Sequence, residues 1–371
     1  MTEAGAKRLG AWAAGIVLIL LAAVTAASFL PLIETNVWWI RFLDFPRLQF
    51  GFALALLLVG VAVLRSRIGT IGWVICAIGV LALVHQSSRL YPYTRFAAQA
   101  LAGMDTCETG SSFTLLIANV QERNQAAAAF LDLVEDVSPD LLLVMETDEW
   151  WDRNLRSLQE SYPERMQFIS ESDGAFGMHV FSRLPLIDPK FEFLFDGYTP
   201  TAVTGVELPG GAVVQFVGVH PHPPLAWSQP TTLRDASLLK AALLAEASTS
   251  ATIVAGDFNS VPWESVTRRA ARIGGLLDPR IGRGLHPTFS ADSLLMSWPL
   301  DQILFQEEFG LLEFAVLPAF GSDHHPVMAS LCNASGRDIP QAPPEPDPGD
   351  IAEAEASIEA ARSVGPTNEK E

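Results

Sequence analysis

The strongest constraint on the fold is a set of long apolar runs in the first hundred residues. Residues 11–33 are apolar except for a few small hydroxyl side chains, and a run of this length can cross a bilayer as a helix. We therefore expect a transmembrane region over residues 1–88, with three helices at about 11–33, 48–64 and 68–86. Buried helices of a soluble domain are the alternative, but about twenty uninterrupted apolar residues argue against them.

The basic residues around these runs predict their orientation. Lys7 and Arg8 precede the first run, and Arg65 and Arg67 separate the last two. Short loops rich in Lys and Arg stay in the cytoplasm, so the remainder of the chain should lie outside it. A signal peptide over residues 11–26 is the alternative, with the same result for the large domain. We expect a multi-pass protein of the cell (plasma or inner) membrane with an extracytoplasmic domain.

The charge of the chain bears on its partners. The formal net charge is −18, and residues 104–332 alone carry 13 basic against 30 acidic residues. A general nucleic-acid binder needs a basic surface, so this balance disfavours one. Residues 89–110 are interpreted as a linker and residues 111–332 as the catalytic domain. Residues 333–371 are rich in proline and acid and are expected to form a disordered acidic tail, in which Ile351–Arg362 could form a transient helix.

One stretch of the large domain has a composition suited to phosphate chemistry. Residues 253–263 begin as an apolar strand and break at Gly256 into Asp257 and Asn259. Side chains two apart on an extended segment share a face, so this carboxylate and this amide can reach one ligand. An Asx-rich turn after a core strand is the alternative.

Polar residues also end or follow the other apolar strands of this region. They are Asn119, Glu146, His220, Asp301, Asp323 and His324. Open α/β sheets bind their ligands at the carboxyl ends of strands, so we expect these side chains to form one site. Strand–helix–strand units alternate with hairpin-like pairs, which favours a layered α/β domain with mixed sheets.

This ordered set of motifs resembles the endonuclease/exonuclease/phosphatase superfamily, the DNase I-like metal phosphoesterases, over roughly residues 112–331. The resemblance implies an α/β four-layer sandwich, with two mixed sheets flanked by helices. The whole chain is then a bundle of three transmembrane helices followed by this sandwich.

The resemblance also implies the roles of individual residues. The implied metal ligands, for Mg²⁺ or Mn²⁺, are Asn119, Glu146 and Asp323. The implied catalytic residues are His220, Asp257, Asn259, Asp301 and His324. In this scheme Asp257 positions or deprotonates the attacking water and Asn259 holds a phosphate oxygen, while Asp301 orients His324 beside the scissile phosphate.

Two substrate contacts and one disulfide remain as expectations. Prolines on either side of His222 hold it near His220 as a second phosphate contact. Arg234 could clamp a phosphate, and a surface salt bridge is equally compatible with its position. Because the first and last strands are neighbours in the superfamily, Cys107 and Cys332 could form a disulfide in an extracytoplasmic domain; two free thiols are the alternative.

These observations favour a membrane-anchored, divalent-metal-dependent phosphoesterase. It would hydrolyse a phosphate or pyrophosphate ester or a phosphodiester, using a metal-activated water and a catalytic histidine. The layout is similar to that of glycopeptide-resistance membrane proteins of actinobacteria, so a lipid-linked phosphate and membrane lipid are the candidate partners. An extracytoplasmic nuclease acting on DNA or RNA and a non-catalytic membrane scaffold are the alternatives. The sequence indicates no protein partner.

Overall fold

A computed structural model describes residues 3–170, 176–223, 230–293, 295–336 and 341–364. Residues 337–340 and 365–371 of the expected tail lie outside the described residues.

The N-terminal region contains three long helices and one short one. They are α1 (Glu3–Phe29), α2 (Trp38–Phe42), α3 (Arg47–Val63) and α4 (Thr70–Leu90). The long helices pack on one another through a small apolar core that includes Leu21, Leu54 and Ala82.

Two of these helical segments are long and apolar enough to cross a membrane, not three as expected. They are Arg8–Leu32 and Thr70–Tyr93. Helix α3 is apolar but has only 17 residues, near the lower limit for a span. Only 22% of each spanning window is buried, so most of its apolar side chains face outward.

The expectation of two mixed sheets flanked by helices is confirmed. The first sheet has the strand order β10-β11-β1-β2-β4-β3 and the second has the order β5-β6-β7-β8-β9. The strands are β1 (Ser112–Asn119), β2 (Leu141–Met145), β3 (Glu164–Phe168), β4 (Met178–Ser182), β5 (Leu186–Phe193), β6 (Pro200–Glu207), β7 (Val213–Val219), β8 (Thr252–Asp257), β9 (Asp301–Phe305), β10 (Phe309–Val316) and β11 (Val327–Asn333). In each sheet one central pair is parallel, β1 with β2 and β7 with β8.

Four helices cover the outer faces of the two sheets, and the last helix packs on the third of them. In chain order the helices are α5 (Ala127–Val137), α6 (Glu149–Leu155), α7 (Thr232–Ala247), α8 (Ser265–Gly274) and α9 (Asp350–Val364). The main core lies between the sheets, where Ile117 and Leu143 of one sheet meet Phe216 and Ile253 of the other. The central strands are buried on both faces, which explains why their sequences are nearly continuous apolar runs.

Helix α9 differs from the disordered tail expected after residue 332. Its buried side chains Ala354, Ile358 and Ala361 follow helical spacing and pack near α7. At its first turn the Asp350 carboxylate accepts hydrogen bonds from Arg272, at 2.7 and 2.8 Å. An apolar stripe of mostly small side chains and one acidic anchor thus suffice to hold a helix that is otherwise charged.

The structure pairs Cys107 with Cys332 as a disulfide. Cys332 lies in β11, which is antiparallel to β1, so the bridge ties the segment before the first strand of the domain to its last strand. Cys76, in α4, is a free thiol.

The connector between α1 and α3, residues 33–46, packs into the catalytic domain. Phe45 is buried in one apolar cluster with Trp263 and Trp298. The indole N–H of Trp263 donates to the Asp44 carbonyl at 2.7 Å. The domain therefore includes side chains from well before the boundary expected at residue 111.

Candidate active site

The two parallel strand pairs direct their carboxyl ends to one region between the sheets. Asn119 ends β1, Glu146 follows β2, His220 follows β7, and Asp257 ends β8. The turn into Asp257 requires glycine at position 256, where φ is +144° and an added Cβ would lie 1.9 Å from the Val219 carbonyl oxygen.

Asn119, Glu146 and Asp257 form the centre of the site. The Asn119 amide nitrogen donates to Glu146 Oε1 at 2.8 Å and to Asp257 Oδ2 at 3.1 Å. Its amide oxygen accepts from the Gln121 backbone N–H at 3.0 Å. Asn119 therefore acts here as a donor that holds two carboxylates together, whereas the sequence interpretation assigned it as a metal ligand.

His220 lies beside these carboxylates. Its Nε2 atom is 3.7 Å from Glu146 Oε1 and 3.8 Å from Asp257 Oδ2. Its Nδ1 atom is buried without a hydrogen-bond partner in the described part of the chain. A buried nitrogen in that condition is costly, so a ligand that reaches it would be favoured.

His324 and Asp301 form a buried pair, as their motifs indicated. His324 Nδ1 is 2.8 Å from Asp301 Oδ2, and His324 Nε2 is 3.7 Å from Asp257 Oδ2. Burial alone would lower the pKa of His324, but the carboxylates of Asp301 and Asp257 outweigh it and raise that pKa to about 10. The imidazole is therefore held in its protonated form at neutral pH.

The donor set suits a divalent cation. Glu146, His220 and Asp257 offer donor atoms within 4.8 Å of one another. Asp323 lies near this group, and burial raises the pKa of its carboxyl. The positive charge of His324 lowers that pKa, whereas the carboxylates of Glu146 and Asp257 raise it further. Carboxylates crowded in this way are the usual ligands of a hard cation such as Mg²⁺, which relieves their repulsion.

Asn259 is held in place by a buried ionic network. Its side-chain amide nitrogen donates to the Pro221 carbonyl at 2.9 Å, and its main-chain carbonyl accepts from the Arg234 guanidinium at 3.0 Å. Arg234 is almost fully buried and pairs with Asp235 and Glu264 at 2.7 and 2.5 Å. The structure therefore gives Arg234 neither the phosphate contact nor the surface salt bridge considered from sequence, because its guanidinium is occupied inside the domain.

The same network includes Arg41 from the connector. Arg41 bonds to Asp235 Oδ2 at 2.7 Å and to Glu264 Oε1 at 2.5 Å. Burial alone would lower the pKa of the Arg41 guanidinium, but Asp235 and Glu264 raise it above its ordinary value. The connector thus supplies one of the two buried cations that neutralise these acids.

His222 is turned away from the central group. Its Nε2 atom lies 3.1 Å from Asp196 Oδ2 and 3.0 Å from Thr199 Oγ1. The Phe176 ring, 4.5 Å from the ring of His222 and 5.9 Å from that of His220, contacts both histidines. The sequence predicted a phosphate contact for His222, but in the structure its Nε2 atom bonds to Asp196.

Several residues that support the site were not identified from sequence. Ser322 donates to the Asn119 carbonyl at 2.8 Å and accepts from the His324 N–H at 3.0 Å. The Thr288 hydroxyl accepts from the Asp301 N–H at 3.1 Å. A hydroxyl next to a catalytic motif was the only signal, and it does not distinguish such a support from a turn.

Comparison with known proteins identifies the class. The profile of the Endonuclease/Exonuclease/phosphatase family matches residues 116–324, and the chain belongs to this family. Among curated proteins none matches this sequence.

Solved structures of other proteins are similar to this chain. TDP2 from D. rerio, in complex with a single strand DNA product, is 14% identical with a TM-score of 0.50, over 60% of this chain and 99% of that one. The human Nocturnin catalytic domain with bound sulfate is 17% identical with a TM-score of 0.49, over 61% and 95%. Sphingomyelinase C from Streptomyces griseocarneus is 15% identical with a TM-score of 0.46, over 59% and 99%. At these identities the likeness concerns the fold alone.

Proposed function

We propose that this protein is a membrane-anchored, divalent-metal-dependent phosphoesterase whose catalytic domain lies outside the cytoplasm. The observation that carries the proposal is that Glu146 and Asp257, at the carboxyl ends of β2 and β8, meet the Asp301–His324 pair, in which Asp301 begins β9 and His324 lies in the loop before β11. Family membership supports hydrolysis of a phosphoester bond.

The side chains divide the work of an in-line hydrolysis. Glu146, with Asp323 nearby, would hold Mg²⁺ or Mn²⁺, which would supply positive charge against the phosphoryl oxygens. As the water oxygen bonds to phosphorus, its proton passes to Asp257, and the P–O bond to the leaving group breaks on the opposite side. The leaving oxygen takes a proton from solvent. Protonated His324 donates to a phosphoryl oxygen, and Asp301 fixes the orientation and protonation of its ring. Asn259 uses one amide hydrogen on Pro221 and retains the second for substrate.

The location is argued from the helices and the disulfide. Two apolar segments face outward over most of their surface, as spans in lipid do. Arg67 lies near Gly10 at the end of the helical bundle opposite the domain, where the positive-inside rule places the cytoplasm. The Cys107–Cys332 disulfide is favoured outside the cytoplasm.

The test is the metal dependence of hydrolysis by the full chain in detergent. We expect release of p-nitrophenol from bis(p-nitrophenyl) phosphate that stops in EDTA and returns with Mg²⁺ or Mn²⁺. Glu146→Gln should raise the Mg²⁺ concentration for half-maximal rate on the order of 100-fold. Glu149→Gln, three residues away on an exposed helix face, is the matched control and should change nothing. Hydrolysis that is indifferent to EDTA, or equal effects of both variants, would refute the proposal.

A further inference from the structure

One loop joins the candidate site to the membrane-facing end of the domain. We call it the tip loop, residues 289–293 and 295–298. Its arms are tied at the base, where the Phe289 N–H donates to the Trp298 carbonyl at 2.9 Å. The two ends of the loop are therefore held together where they leave the domain.

The base of the tip loop contacts the catalytic group directly. The ring of Phe289 lies 4.8 Å from the ring of His324. The Ala291 N–H donates to the Asp323 carbonyl at 2.7 Å. A displacement of the tip loop would therefore reach the residues that hold the phosphate and the cation.

The other side of the tip loop contacts the connector and the first turn of α3. The Trp298 ring packs edge-on against Phe42 and Phe45, at 5.9 and 5.7 Å between ring centroids. The Gln49 side chain, in the first turn of α3, donates to the Leu295 carbonyl. These contacts place Leu295 at the level where α3 begins.

The apolar side chains of the loop point into solvent at this level. Leu295 is 78% exposed and Met296 is 49% exposed. On α3, Leu48 is 44% exposed and Phe52 is 73% exposed. A single exposed apolar residue is ordinary, but these continue the outward-facing apolar surface of the helices.

We propose that Leu295 and Met296 rest in the interface of the bilayer and that the adjacent site hydrolyses phosphate groups carried by lipids of the same leaflet. This inference rests on the proposed function and names its substrate class. A lipid phosphate lies in the interfacial zone, at the depth that an apolar loop and interfacial helix ends reach. Residues 104–332 carry a net charge of −17, so apolar contact and not a basic surface would hold the domain at the membrane. Turnover of lipid should therefore depend little on salt, whereas binding of a nucleic acid falls steeply with salt.

The first test measures depth in the bilayer and does not depend on activity. The full chain with Cys76→Ala, which removes the free thiol, would carry a nitroxide at Leu295→Cys and be placed in phosphatidylcholine nanodiscs. Val213→Cys, at the end of β7 opposite His220, is the control. We expect the label at position 295 to be accessible to oxygen and protected from a water-soluble nickel chelate, and the label at 213 to show the reverse. Equal exposure of both labels to the nickel chelate would overturn the inference.

The second test compares substrates. Release of water-soluble phosphorus would be measured from nanodiscs containing phosphatidic acid, phosphatidylcholine or a polyprenyl pyrophosphate, beside hydrolysis of bis(p-nitrophenyl) phosphate. The ratio of lipid to soluble turnover should fall on the order of tenfold in Leu295→Asp and stay unchanged in Val213→Asp.

The outcomes separate the two proposals. Hydrolysis of the soluble diester with no release from any bilayer lipid, or a ratio that Leu295→Asp does not change, would overturn the lipid inference and leave the phosphoesterase standing. Nicking of plasmid DNA in place of lipid turnover would likewise replace the substrate class. Absence of all hydrolysis would refute the proposed function, while the depth measurement would still decide where the loop lies.

Discussion

Replacement of Arg41 by alanine should destabilise a catalytic domain that lies more than sixty positions further along the chain. In the folded protein Arg41 and Arg234 are two buried cations that face two buried carboxylates, Asp235 and Glu264. Without Arg41 one guanidinium faces both acids inside the domain. Removing one partner of a buried pair typically costs about 3–5 kcal/mol, because the remaining charge is left uncompensated. For a domain of this size the unfolding midpoint should fall by roughly 6–20 °C.

The assay is thermal unfolding of the full chain in detergent, followed by tryptophan fluorescence. Arg153→Ala is the matched control, because its pair with Glu149, at 3.6 Å, is exposed and should contribute less than about 1 kcal/mol. Arg41→Lys retains the charge but loses the forked geometry, so its midpoint should lie between those of wild type and Arg41→Ala. If Arg41→Ala and Arg153→Ala had the same unfolding midpoint, Arg41 would contribute no net stability and the prediction would be wrong.

Three further predictions concern pH, the disulfide and the C-terminal helix. Burial alone would lower the pKa of His324, but the neighbouring carboxylates raise it to about 10. The pairing of His324 with these carboxylates therefore stabilises the metal-free fold fully below the ordinary histidine pKa of about 6.5. This stability is lost as the pH rises through the pKa that His324 has in the folded protein. In Asp301→Asn, thermal unfolding in EDTA should show that loss at lower pH, and an unchanged profile would contradict the pairing. Cys107→Ser removes a cross-link over 225 residues and should lower the free energy of unfolding in urea by on the order of 2–5 kcal/mol. An unchanged free energy of unfolding would contradict the disulfide. Ile358→Glu puts a charge beneath α9 and should expose that helix to limited proteolysis, whereas Glu359→Gln on its outer face should not.

The strand framework and the central group could be predicted because both depend on local patterns. Runs such as residues 141–145 are apolar throughout, and a buried strand is the simplest structure for them. The polar residue that ends each run, such as Glu146 or Asp257, then falls at the edge of a sheet where ligands bind. The roles of these residues were predicted from the order of the motifs along the chain, which is the order found in the superfamily.

The contacts that could not be predicted depend on distant partners. Arg234 lies in the first turn of a helix next to the site, and only the fold reveals that Asp235 and Glu264 hold its guanidinium inside the domain. The sequence does not distinguish a His222 that contacts phosphate from one that bonds within the protein. In the structure His222 Nε2 lies 3.1 Å from Asp196 Oδ2. The connector contains no pattern that distinguishes a loop at a membrane surface from a part of the domain core.

The acidic tail was misjudged for a related reason. Composition describes a segment in isolation, and residues 350–364 alone bury too little apolar area to fold. The surface of α7 and the two arginines of α8, Arg269 and Arg272, complete the helix. Neither contribution can be read from the tail itself.

The most direct test of the central claim is a comparison of two adjacent histidines. His324 faces Asp301 and Asp257, whereas His325 Nδ1 lies 2.9 Å from the Leu317 carbonyl. Hydrolysis of bis(p-nitrophenyl) phosphate in Mg²⁺ would be measured for the full chain with His324→Gln and with His325→Gln. Loss of a proton donor at the reacting phosphate should lower kcat/KM on the order of 100-fold or more in His324→Gln, with His325→Gln within a few-fold of wild type. Equal rates for the two variants would contradict the assignment of this group as the active site.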